Sequence, residues 1–411
     1  MSLKYIRIYK YLWIIYGFLT FIGIVEVFSA GSKIGILHGI FYGPGLEHLI
    51  YVLAGFFIML ITVSTRDILL KYSYKFADIF MFITLGIILI TVIIGPKTNE
   101  ARRTLTIPII NKSINTFELL KLAVVFFVAK NLSHNRKHTE VFVSNLKKIG
   151  ILTGIGLFLV ATQNLSTGII IYITVLSMLF FAKIPQYLMK EILKIVGIAT
   201  LIGIIFFLAM PSGSGRKGTW EHRIKKFVKG QYEQTDQGYI TQASIAHTSI
   251  IHLGPGKSEF KYILPLAHTD YIFAITGEEL APVALLLPFF YLALFYFGIL
   301  ITLNQKKPYY MFLAAGFSLM ITLQAFIHIL VNLGLMPETG QPLPFISKGG
   351  MAVLTNSIMM GFLLAIHREA IETKKQNEPG VEEPEEFDII DIDDDFYQEN
   401  TDSDFQNPIF L

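Results

Sequence analysis

"YLWIIYGFLTFIGIVEVFSA", Tyr11–Ala30, decides the fold class. Its twenty residues hold one charge, Glu26, and match the ~20 apolar residues that span a bilayer core as a helix. "EILKIVGIATLIGIIFFLAM", Glu191–Met210, repeats the pattern. Lipid offers the backbone no hydrogen-bond partner, so each such run reads as a helix. Working outward, the 411 residues are 53% hydrophobic and only 16% charged, far below the ~25% usual in soluble domains. The expectation is an all-α integral membrane protein.

Ten spans are expected, at 11–30, 47–65, 76–95, 114–131, 149–163, 167–183, 191–210, 271–303, 309–333 and 350–367. A membrane domain over 1–370 would then carry one long loop, about 211–270, between spans seven and eight. The basic start (Lys4, Arg7, Lys10) leads into a full-length span with no small-residue cleavage site, so the first helix is expected to stay as an anchor. With no cysteine, disulfides, thiolate catalysis and Cys-ligated metals are excluded.

Lys and Arg crowd "STRDILLKYSYK", "KNLSHNRKHTEVFVSNLKK", "AKIPQYLMKE" and "NQKKP", which places both termini in the cytoplasm. The loop 96–113, with Lys97, Arg102, Arg103 and Lys112, then lies outside against the rule, as does the long loop with Arg216, Lys217 and Arg223. Two cationic loops on one face suggest an anionic ligand there, or lipid headgroups. The net charge of +3 hides an acidic tail: the segment from Gln376 has thirteen Asp/Glu and no Lys/Arg, so removing it leaves +16. Residues 371–411 are expected to be disordered and cytoplasmic. The tail's "DIDDD" lacks the fixed geometry of a metal site.

Ionisable residues inside spans are functional candidates by default. Glu26, His328 and the pair Glu118–Lys121, three apart on one helix face, qualify. Each has a bland alternative: an interhelical hydrogen bond or a structural ion pair. In "LPLAHTDYIFAITGEEL", Leu264–Leu280, Asp270 precedes an apolar run. A partly desolvated carboxylate there could be a general base. A helix N-cap explains it equally well. "LGLMPETGQPLPFISKGGMAVLTNS" (333–357) reads as irregular outer backbone, where Ser347, Lys348, Gly349 and Gly350 would offer a cation and amides to an anion, or simply a turn. "GPGKS" lacks the spacing of a phosphate-binding P-loop.

Several of these stretches resemble one family, the SEDS polymerases FtsW and RodA. "PLAHTDYIFAITGEEL" and "ETGQPLPFISKGGMAVL" are similar to its two most distinctive motifs, and "TWEHRIKKF" and "LGPGKS" resemble the FtsW form of the long loop. "NEARRTLTI" with "TFELLKLAVVFFVA" matches more loosely. The resemblance implies a ten-span enzyme of the inner membrane that polymerises lipid II at the outer face, with configuration inverted and undecaprenyl pyrophosphate leaving. It implies Asp270 as general base, with Arg103, Glu118, Lys121, Arg223, His268, Ser347 and Lys348 binding substrate. The arginines would stabilise the departing pyrophosphate. They are expected nearer that group than Asp270, since cations beside a base weaken it. A divalent cation could share the role, though the sequence offers no clean ligand set. The implied partners are a class B penicillin-binding protein and other cell-division proteins, with no nucleic acid.

The chain departs from the family at Thr116-Phe117 (usually Pro-Ser), Thr104 (Trp), Lys348 (Tyr) and Met351-Ala352 (Ser-Ser). A lipid-linked precursor transporter, a RodA-type elongation polymerase or a non-catalytic scaffold are the competing readings. No internal repeat of the kind transporters use is found.

Overall fold

Apolar runs of bilayer length do form the helices, and the exceptions mark the functional regions. A computed structural model describes residues 2–33, 43–97, 101–107, 112–134, 139–182, 184, 187–190, 194, 197, 215–230, 233, 236–248 and 253–377. Almost all of the span expected at 191–210, and the acidic tail, lie outside these residues. Residues Met1–Ile371 form one unit; of the second, Glu372–Leu411, only the end of the last helix is described.

The helices are α1 (Ser2–Ala30), α2 (Gly43–Ser64), α3 (Arg66–Ile94), α4 (Thr116–Ser133), α5 (Thr139–Ala161), α6 (Leu165–Phe181), α7 (Gly215–Lys229), α8 (Gln237–Ala246), α9 (Ile272–Glu279), α10 (Ala281–Asn304), α11 (Pro308–Asn332) and α12 (Gly350–Asn377). Seven of them, α1, α2, α3, α5, α10, α11 and α12, are long and apolar enough to cross a membrane. The chain is a multi-pass membrane protein. Helices α5 and α6 are joined by three residues and Asn164 caps α6, its side chain accepting from the Thr167 amide at 3.4 Å.

Burial explains where the charges sit. Helices α2, α3 and α10 leave large apolar side chains such as Phe57, Ile90 and Phe289 exposed, as lipid-facing helices do. Helix α4 is instead enclosed, packed on α3, α5, α6 and α11. Its Glu118 and Lys121 therefore face protein. Helices α2 and α12 run in the same direction in close contact. A Cβ at Gly55 would meet Ser357 Oγ at 2.5 Å, and one at Gly361 would meet Thr62 Cβ at 3.0 Å.

One expectation needs correction. The run 271–303 is not one helix: it breaks at Leu280 (φ −135°, ψ 60°), because Pro282 in the first turn of α10 cannot continue a preceding helix. Within the otherwise helical fold, the cationic loop after α3 forms a short antiparallel hairpin, β1 (Thr104–Ile107) with β2 (Lys112–Asn115), Thr104 opposite Asn115. The long loop contains α7, α8 and a 3₁₀ turn at Phe260–Tyr262.

Candidate active site

Asp270 lies just outside α9. The helix is capped by Tyr271, with no side-chain capping bond, so Asp270 is not an N-cap. Its backbone is fixed from both sides. The Leu266 carbonyl, at φ 58°, accepts from the Thr269 and Asp270 amides at 2.9 and 3.0 Å. Asn332, at the end of α11, donates to the Asp270 carbonyl at 3.1 Å and accepts from Ala274 N at 3.2 Å. The carboxyl is left facing cations. A Cβ added at Gly340 would lie 3.4 Å from both Arg103 Nη1 and Asp270 Oδ2. Arg103 and Arg223 are within electrostatic reach of each other, and both act on Asp270. Arg223, from α7, donates to the Glu338 carbonyl at 3.0 Å and sits 5.9 Å from the Trp220 ring. Arg103 Nε is buried without a hydrogen-bond partner.

Burial lifts the Asp270 pKa to about 6, outweighing the downward pull of Arg103, Arg223 and Thr269. The carboxyl is thus ionised at neutral pH yet more basic than an ordinary aspartate. Arg103 and Arg223 both pull the Asp270 pKa down, as cations beside a base do, and burial outweighs them.

The irregular segment 333–349 forms the opposite wall. From Leu343 to Ser347 it is buried, so its backbone polar groups need partners within the protein. Its carbonyls are satisfied one by one. Gln341 O accepts from His328 Nδ1–H (2.7 Å), Pro342 O from Gln324 Nε2 (2.8 Å) and Pro344 O from Tyr291 OH (2.6 Å). Gln341 in turn donates to Thr167 Oγ1 at 2.8 Å. Phe345 (φ 67°) packs edge-on to Tyr16, and Gly23 of α1 lets its carbonyl approach so closely that a Cβ would be 2.6 Å away. Ser347 Oγ donates to Thr269 O (2.6 Å) and accepts from Leu343 N (2.7 Å), while Lys348 N donates to His268 O (2.9 Å). Ser347 thereby clasps this wall to the Asp270 segment. Lys348 Nζ pairs with Glu47 at 3.0 Å.

Glu118 and Lys121 form a buried ion pair at 2.6 Å, and Lys121 also donates to Gln324 Oε1 at 2.6 Å. Since Gln324 holds Pro342 O, the pair connects to the wall beside Gly340. The departure at Thr116 is absorbed locally. Its hydroxyl donates to Thr91 at 3.0 Å and its amide to Arg103 O at 3.2 Å, tethering the arginine's backbone to α3 and α4. Arg102 points elsewhere, donating to the carbonyls of Ile93 and Val92 at the end of α3.

Glu278 and Glu279 close the other end of α9. Glu279 accepts from Gly256 N (2.7 Å), Ser258 N (3.0 Å) and Ser29 Oγ (2.6 Å), and pairs with Lys261 at 3.5 Å. Glu278 accepts from Ser258 Oγ and Glu259 N. "LGPGKS" is thus a turn, with Gly254 and Gly256 at φ 92° and 82°, clamped by two carboxylates. Glu26 lies buried beside this node, within reach of Glu279 and Lys261.

The structure therefore brings together Asp270, Arg103 and Arg223. It places Glu118 and Lys121 behind them, with His268 on the Asp270 segment and Ser347 and Lys348 on the facing wall, where the two segments are clasped. Sequence reasoning missed Gln324, Asn332 and Gln341, whose signal was an amide within or beside an apolar run. Among the described residues no group of three or more His, Asp or Glu could hold a metal ion. The charges facing Asp270 are themselves cationic, so the donor set does not fit a divalent cation.

Residues 9–372 match the family model of cell cycle proteins that groups FtsW, RodA and SpoVE. A probable peptidoglycan glycosyltransferase FtsW of Halomonas elongata is 26% identical over 374 residues, 88% of this chain and 90% of that protein. One of the same description from Geobacter sulfurreducens is 28% identical over 363 residues, covering 85% and 92%. Among solved structures, a chain from a peptidoglycan synthase complex that coordinates polymerisation and crosslinking aligns with TM-score 0.66 at 20% identity, covering 87% of this chain and 97% of that one. The rod shape determining protein RodA of Thermus thermophilus aligns at 0.58 and 18%, covering 87% and 96%.

Proposed function

The chain belongs to the FtsW, RodA and SpoVE family of cell cycle proteins, and we propose that it is a peptidoglycan glycosyltransferase of septal wall synthesis. The observation that carries this reading is the Asp270 carboxyl, free of any capping role, faced by Arg103 across Gly340 and within electrostatic reach of Arg223. A base with pKa about 6 is ionised at the pH where it must accept a proton.

The substrate is lipid II, at the outer face of the cytoplasmic membrane, with both termini of the chain inside. Asp270 takes the proton of the C4 hydroxyl of one disaccharide as that oxygen attacks the anomeric carbon of the other. The configuration inverts and undecaprenyl pyrophosphate leaves. Arg103 and Arg223 meet the charge developing on the leaving group, the kind of preorganised electrostatics that usually contributes most. Arg103 has an unpartnered Nε to offer. Glu118 and Lys121 hold the wall through Gln324 and Pro342 rather than touching substrate. A class B penicillin-binding protein, which crosslinks the strands, is the proposed partner.

The test is glycan polymerisation from purified lipid II by the full chain with that partner, wild type against Asp270→Ala. Chains that lengthen only with wild type are expected. Normal polymerisation by the variant would sink the assignment of the base, and lipid II crossing vesicles without polymerisation would favour transport.

A further inference from the structure

A second cluster of positive character lies next to the active segment and shares no member with Arg103, Arg223 and Asp270. Helix α12 begins level with the second and third turns of α2. A Cβ at Gly350, the first residue of α12, would fall 2.5 Å from the Tyr51 ring of α2, and the parallel packing at Gly55 and Gly361 continues from there. The amides of a helix's first turn have no intrahelical acceptor, and that end carries a partial positive charge, so the start of α12 offers both. Lys348 stands at this junction, two residues before α12 begins. His48, in the second turn of α2, is fully buried, and neither ring nitrogen has a hydrogen-bond partner. It lies within electrostatic reach of Lys348 and of His268, itself buried and kept neutral at physiological pH. A buried imidazole with both nitrogens unused is rare unless something else satisfies it.

We propose that Lys348, His48, His268 and the N-terminus of α12 form an anion site that takes a phosphate group carried by a lipid. Lys348 and Glu47 stand at its mouth, their side chains 22% and 39% exposed, with the histidines behind. The Lys348–Glu47 pair acts as a closure. An arriving phosphate takes over the ammonium, and the more exposed carboxylate swings into solvent, where an isolated surface charge costs little. The chemistry of the site is that of helix-end phosphate binding reinforced by a cation.

The site is read by binding, without turnover, so its failure and that of the polymerase reading are separate results. The full chain carrying Arg223→Gln, which weakens the pocket at Asp270, is purified in a neutral detergent. Native mass spectrometry then follows three probes: phosphatidylglycerol, undecaprenyl diphosphate and inorganic pyrophosphate. Lys348→Gln should weaken binding of at least one probe about tenfold or more, the size of a lost charge-assisted hydrogen bond. Lys348→Arg should retain it, His48→Phe should weaken it, and Glu47→Gln should strengthen it. Misfolding cannot produce that last gain. Binding confined to the two lipids assigns the site to a headgroup; equal binding of pyrophosphate assigns it to the phosphate alone. The proposal is overturned if no probe depends on Lys348, or if Glu47→Gln weakens binding as Lys348→Gln does.

Discussion

Asp270 and Glu279 flank the same short helix, α9, and their surroundings are opposite in kind. Glu279 is saturated: two backbone amides, a serine hydroxyl and a lysine all point at it. Asp270 has arginines nearby but is held chiefly through its backbone, by Leu266 and Asn332. A carboxylate given every donor it can accept is a structural anchor with nothing left to offer a substrate. One that is desolvated and given few donors keeps its basicity. The difference separates a clamp from a candidate base on eight residues of helix.

The largest expected effect breaks that comparison at its active end. Asp270→Asn should cut polymerisation by about 10²–10⁴-fold, the range general-base groups contribute. The same change should stabilise the protein near pH 7.5 by on the order of 2 kcal/mol, because the native state no longer holds a desolvated charge. Since the folded pKa is raised, that gain should shrink as pH falls through about 6. Thermal unfolding at several pH values reads it. Glu279→Ala should show the reverse, losing about 3–5 kcal/mol by stranding the buried Lys261. Adding Lys261→Met should recover part of that stability, and material that stays folded should still polymerise. Arg223→Gln should slow polymerisation about tenfold to a hundredfold and move the acid limb of the pH profile upward. Smallest is Gly340→Ala. Its methyl would meet Arg103 and Asp270 at ordinary contact distance, so folding should hold while turnover drops about tenfold by crowding.

Much of this was legible in the sequence because lipid makes the helix obligatory and charge conspicuous. Tyr11–Ala30 read as a span, and Glu118 and Lys121 stood out as charges three apart on one face of a span, with an ion pair as one of two open readings. Asp270 could be found but not decided, because helix cap and base look alike until Tyr271 is seen to occupy the cap. The break at Leu280 was hidden by continuous hydrophobicity on both sides of it. Glu278 and Glu279 were opaque because their partners, Ser29 and the turn 256–261, are distant in sequence or carry no pattern of their own. The amides of Gln324, Asn332 and Gln341 escaped for a related reason: polar but uncharged, they do not disturb hydropathy, yet they hold both walls of the site.

The account turns on Asp270 being a base whose pKa burial sets. The direct measurement is the pH dependence of lipid II polymerisation under limiting substrate, for wild type and Arg223→Gln side by side. The expected result is an acid limb near pH 6 in the wild type that shifts to higher pH when the arginine's charge is removed. A profile that is flat through pH 5–7, or a limb that does not move in the variant, would contradict it.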